Sequence, residues 1–163
     1  MRSLLDKIKN LKGCSVLPKS GFPVIDLQAN LPEDLKTFYG ECGGIKFFSD
    51  SDYAIEIVAP DNFQLSNPEI LSEGWETDIP PDDISNSWYI IAAAGPEQRI
   101  SIDLGVKRIG QCYDSFWDIH ASPGESPIVS VSFTQLLENI IDCQGGYWFW
   151  LADDFSSLGD AYK

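Results

Sequence analysis

Basic residues are scarce in this chain. Lys and Arg number 11 against 25 Asp and Glu, a formal charge of −14 over 163 residues. Phosphates would be repelled and no basic patch could release counterions, so a nucleic-acid partner is not expected. Histidine is scarcer still: His120, in the polar stretch HASPGESP, stands alone. A zinc site needs several nitrogen or sulfur ligands at suitable spacing, so no metal centre is expected, and His120 reads as a surface loop residue. Long apolar runs are missing too. No stretch approaches the ~20 residues of a membrane span, and MRSLLDKIKNLKG lacks the apolar core of a signal peptide. A soluble, cytoplasmic protein is therefore expected. The four cysteines, Cys14, Cys42, Cys112 and Cys143, form no CxxC pair and read as reduced structural thiols.

Motifs of catalysis are also absent. There is no GxSxG elbow, no cysteine in a nucleophile context and no glycine-rich phosphate loop. Asp50, Asp52 and Glu56 suggest a calcium loop, but the required glycine and the final glutamate spacing are missing. No catalytic residue, metal or cofactor is assigned. A pair of carboxylates in a cleft, as in a glycosidase, stays open.

What is present is organised. Ser3 to Leu11 predicts an amphipathic helix with Leu4, Leu5, Ile8 and Leu11 on one face and a Ser3–Asp6 cap. LPEDLKTFYGECGG, residues 31 to 44, predicts a second. Pro32 suits the first helical position, Glu33 and Asp34 complement the dipole, and Gly43 or Gly44 supplies a left-handed cap. IKFF (45–48) and YAIEIVA (53–59) then alternate as a strand hairpin across SDSD. Residues 60 to 87 are irregular, with room for a short helix around Leu65 to Leu71. WYIIAAA (88–94) predicts a strand buried on both faces, RISIDL (99–104) an alternating strand, and RIGQCY (108–113) a further one. SFTQLLENIIDCQGG carries a capping box at Ser132 and Gln135 and a stripe from Phe133 to Ile141. The aromatic tail YWFWL is expected to add one last strand or an ordered extension. Of its four alternating aromatics, one pair is expected to face outward.

The order predicts a single α+β domain spanning residues 1–163, with a mainly antiparallel sheet of about five strands and flanking helices. Its length suffices for a core without disulfides.

The charges are segregated. Five of the 11 basic residues lie in the first nineteen positions. Between Lys46 and Arg99 there are eleven acids and no Lys or Arg, and after Arg108 eight acids precede Lys163. Excess acid serves solubility; concentrated on one face, it also steers a basic partner. The candidate partner-binding carboxylates are Asp50, Asp52, Glu56, Asp82, Asp83, Asp103, Asp114 and Asp118. Glu56 and Asp103 each fall on the polar side of an alternating strand.

Four segments resemble the SMI1/KNR4 family, the SUKH superfamily. LPEDLKTFYGECGGIKF is similar to its N-terminal signature and WYIIAAAGPEQRISIDL to its central strand, turn and strand. IGQCYDSFWDIH resembles a segment of one bacterial branch, and SFTQLLENII with YWFWL and LGDAY its C-terminal helix and tail. Many members carry a glycine-rich acidic turn where this chain has GPEQR (95–99), so a binding role for that turn is not carried over. The resemblance implies an α+β fold and, for the bacterial branch, an immunity protein. Such a protein would bind and neutralise a polymorphic toxin, often a nuclease, as a non-catalytic inhibitor. A basic toxin domain is the partner this implies. A regulatory adaptor, as among fungal members, and a carboxylate-dependent hydrolase are the other two readings.

Overall fold

The apolar run Trp88–Ala94 and the alternating Gln98–Asp103 form the two longest strands, and everything else in the sheet extends from this hairpin. A computed structural model describes residues 1–25 and 30–163. Among them the elements are α1 (Arg2–Lys9), β1 (Ser15–Val16), α2 (Glu33–Glu41), β2 (Ile45–Phe47), β3 (Ile55–Ile57), α3 (Ser66–Ile70), β4 (Trp88–Ala94), β5 (Gln98–Asp103), β6 (Cys112–Asp114), β7 (Ile128–Ser130) and α4 (Phe133–Asp142). The strands pair antiparallel in chain order, so the sheet is a seven-stranded meander. The α+β class is as expected, but two strands were missed. β1 has only two residues, and β7 (Ile128–Ser130) is a three-residue stretch between the loop HASPGESP and the cap of α4.

Helices α1, α2 and α4 cover one face. Leu5 and Ile8, Leu35, Phe38 and Tyr39, and Phe133, Leu136, Leu137, Ile140 and Ile141 pack against Ile45, Phe47, Ile57, Ala92, Ile100, Ile102 and Cys112. These stripes recur at helical spacing, and burying them supplies most of the favourable free energy of the fold. α4 is capped as predicted. The Ser132 hydroxyl accepts from Gln135 N–H (3.1 Å), and Gln135 Oε1 accepts from the N–H of Val131, the residue before the N-cap (2.8 Å).

Other local expectations are corrected. α1 starts at Arg2 after Met1 without a side-chain cap. Pro32 is the N-cap of α2, one position earlier than predicted. Asp34 does more than complement its own helix. Its Oδ2 accepts from Thr134 N–H (2.8 Å) and Thr134 Oγ1 (3.0 Å), tying α2 to the first turn of α4. α2 ends on an extended Cys42, not on a left-handed glycine. The glycines permit close approach instead. A Cβ on Gly43 would collide with the Pro18 carbonyl, and one on Gly44 (φ +135°) would lie 2.8 Å from the Ile57 carbonyl. The strand predicted over residues 108–113 starts only at Cys112, because Arg108 to Gln111 form a turn. The tail forms a 3-10 turn at Phe149–Leu151. Residues 158–161 then run along β7, with Ile128 N–H to Gly159 O at 2.9 Å, so the ordered extension shields an edge strand.

Candidate functional site

The opposite face of the sheet has two halves. Over β4–β6 it is covered by α3, the β6–β7 loop and the chain end. Trp88 lies against Tyr113 (centroids 4.3 Å), with His120 and Tyr162 edge-on at 5.7 and 6.0 Å. Over β2, β3 and the hairpin end of β4–β5 the same face is open, and the register sets Glu56 opposite Lys46 on one side and Ala93 on the other, with Arg99 opposite Ala93.

Asp103 belongs to the covered half. It was expected to face outward, and it is fully buried. Alternation separates the two faces of a strand but does not say which is solvated, and here both are covered. Its carboxylate accepts from Ser87 Oγ (2.7 Å), Gly105 N–H (2.6 Å), Arg108 Nε (3.0 Å), Tyr113 Oη (3.0 Å) and Trp88 Nε1 (3.3 Å). A buried carboxylate is tolerated because it is paired and fully hydrogen-bonded. Gly105 is glycine because a Cβ there would lie 2.8 Å from Asp103 Oδ1.

Asp114 is buried as well. It is 3% exposed and accepts from Gln98 Nε2 (2.6 Å) and Phe116 N–H (3.0 Å). Burial raises its pKa, against those two bonds. It is the group a hydrolase reading would single out, yet both of these bonds are structural.

His120 is also buried, at 4% exposure, and not on the surface. Its Nε2 lies 2.9 Å from Asn67 Oδ1, while Asn67 Nδ2 donates to Ser85 and Asn86. Oδ1 is therefore the acceptor and Nε2 carries the proton. Nδ1 has no partner among the described residues. Burial lowers the His120 pKa to about 4, with Asp83 pulling weakly upward. Nothing in HASPGESP signals this, because burial of a loop residue depends on what lies over it.

The other six carboxylates reach solvent but do not share one place. In a meander alternate connections lie at opposite ends of the sheet. Asp50 and Asp52 (β2–β3) and Asp118 (β6–β7) are therefore at one end, and all three are exposed. Asp82 and Asp83 belong to the β3–β4 connection. Asp83 caps a 3-10 turn through Ser85 N–H (2.8 Å) and accepts from Tyr162 Oη (2.9 Å). Glu56, half-buried, lies on the open half-face between cations. Of the acids in the long stretch without Lys or Arg, Glu56 is thus flanked across the strands by Lys46 and, beyond Ala93, by Arg99.

Three clefts open elsewhere. One of about 640 Å³ lies over Phe63 and Tyr89, with Asp61 and Glu69 in its lining. One of about 450 Å³ lies between Gly13, Phe48, Asp50 and Gly145. A third, also about 450 Å³, lies between the end of α4 and the tail. Of the aromatics near that third cleft, Tyr147 faces outward (49% exposed). Trp148 turns in to donate to Tyr53 O (3.0 Å), and Trp150 stacks on it at 5.9 Å.

The model of the SMI1/KNR4 family (SUKH-1) matches residues 26–139. The chain belongs to the SMI1/KNR4 family. It is also 42% identical over 159 residues to immunity protein YokJ of Bacillus subtilis (strain 168), covering 98% of this chain and 93% of that protein. The family match runs from the segment before α2 through most of α4. It contains β2–β7 and α3, and the YokJ match, over 159 of the 163 residues, takes in α1 and the tail as well. Among the described residues no helix is long and apolar enough to cross a membrane, and no group of three or more His, Cys, Asp or Glu could hold a metal ion.

Proposed function

We propose that this chain is an immunity protein that binds a toxin domain and neutralises it by occlusion, acting in the cytoplasm without catalysis. The carrying observation is the 42% identity, across nearly the whole of both chains, to a protein named for immunity. We take residues 1–163 as one domain, since Leu5 and Ile8 of α1 and Trp150 of the tail join the same core as the family segment. The finer reading is that the toxin is basic, of the nuclease kind, and that exposed carboxylates steer it. The net charge of −14 supports this. Because Asp103 and Asp114 are buried, this reading rests on Asp50, Asp52, Glu56, Asp82, Asp83 and Asp118. These are spread over the two ends and the open half-face, so they fit long-range steering better than a single patch.

The test is co-purification with the toxin domain encoded beside this gene, followed by calorimetry at low and high salt. The expected result is a 1:1 complex whose Kd rises about tenfold or more with salt, as screening of exposed charges requires. A complex insensitive to salt would overturn the electrostatic part. No complex with the neighbouring product would overturn the immunity reading.

A further inference from the structure

The cleft between α4 and the tail combines three features. Its walls are aromatic: Tyr147, Phe149 and Phe155 line it, with Phe149 edge-on to Phe155 at 5.6 Å. Its charge is of one sign, since Asp142 and Asp154 line it and are exposed. The sequence offers no Lys or Arg between Arg108 and Lys163, and no ion pair among the described residues reaches this region. The third feature is that α4 breaks a rule of helix termini. Its last turn holds no basic residue and carries Asp142 at the negative end of the dipole. That arrangement is unfavourable in the free chain, and a local rule broken without internal compensation marks a functional position.

We propose that this cleft receives an arginine side chain from a basic segment of the toxin, a reading that rests on the immunity function above. A guanidinium suits it better than an ammonium. Its plane stacks on the aromatic wall while its fork of donors meets the two carboxylates, and it compensates the end of α4. An aromatic-walled contact of this kind anchors a complex, whereas rim charges without such a wall mainly set its association rate. None of the eight carboxylates singled out from the sequence lies in this cleft.

Two measurements on the full chain test this. First, the isotope-labelled protein is titrated by NMR with the capped peptide acetyl-Ala-Arg-Ala-amide, and with its uncharged citrulline counterpart. Amide shifts confined to residues 139–155, absent with citrulline and absent in an Asp142→Asn/Asp154→Asn variant, are expected. Shifts scattered over the other acidic loops, or equal with citrulline, would overturn the site. Second, toxin binding is compared across variants. The same double variant, and separately Tyr147→Ala, should weaken binding about tenfold, mainly through faster dissociation. Asp50→Asn/Asp52→Asn should mainly slow association. A double variant within twofold of wild type would refute the anchor. If the wild-type chain binds the arginine peptide in the cleft but not the toxin, the immunity reading fails and the arginine site stands.

Discussion

Replacing Asp103 by Asn tests whether this carboxylate is a structural centre. The substitution keeps shape and removes charge. Five donors converge on the two oxygens, at 2.6 to 3.3 Å. An amide must turn one NH₂ towards donors, so at least one contact becomes repulsive. Arg108, whose side chain is 27% exposed, loses its counter-ion. Breaking a buried pair by removing one partner costs about 3–5 kcal/mol, and stranding the Trp88 or Tyr113 donor adds about 1–3 kcal/mol. Against a total stability of about 5–15 kcal/mol this is severe. At about 2–4 °C per kcal/mol for a chain of this size, the lower figure of 3 kcal/mol lowers Tm by about 6–12 °C. Urea unfolding followed by tryptophan fluorescence, with Trp88 in the network, is the assay. A loss below about 1 kcal/mol would refute the argument. So would a folded Asp103→Asn chain with normal stability and weakened toxin binding, which would return Asp103 to the interface.

Two further outcomes follow from the same network and the helix pair. The unfolded His120 imidazole takes its proton near pH 6.5 and the folded one only near 4. The unfolded state thus binds more protons in that window, and stability falls by up to about 3 kcal/mol as pH drops from 6.5 to 4. The raised Asp114 acts in the opposite direction as it protonates, offsetting part of the loss. His120→Gln should flatten the dependence of the urea midpoint over this window, and an unchanged slope would sink the assignment. Asp34→Ala should cost about 1–2 kcal/mol in equilibrium unfolding, since it strips two bonds from the first turn of α4. A cost below about 0.5 kcal/mol would show that water replaces the tie.

The sequence by itself determined what repeats locally. The stripe in α4, its Ser132–Gln135 cap, the buried β4 run and the α+β order were all legible, because side-chain periodicity and capping depend on neighbours three or four residues away. Family membership was legible for the same reason, through short segments that keep their order. The sequence could not reveal which carboxylates meet solvent. Asp103 and Glu56 carry the same alternating signature, yet one is fully buried and the other lies on an open half-face. The difference is made by Ser87, Trp88, Arg108 and Tyr113, whose side chains close around Asp103 and donate to it, while Glu56 stays partly exposed. His120, in the β6–β7 loop, is buried where that loop packs on Trp88 and Asn67. Strand register sets Glu56, from the stretch without Lys or Arg, between Lys46 and the Ala93–Arg99 pair. The cleft of Asp142 and Asp154 arose where the tail folds back on α4. Exposure, pairing and concavity are properties of surfaces brought together by the whole fold, and only the tertiary structure decides them.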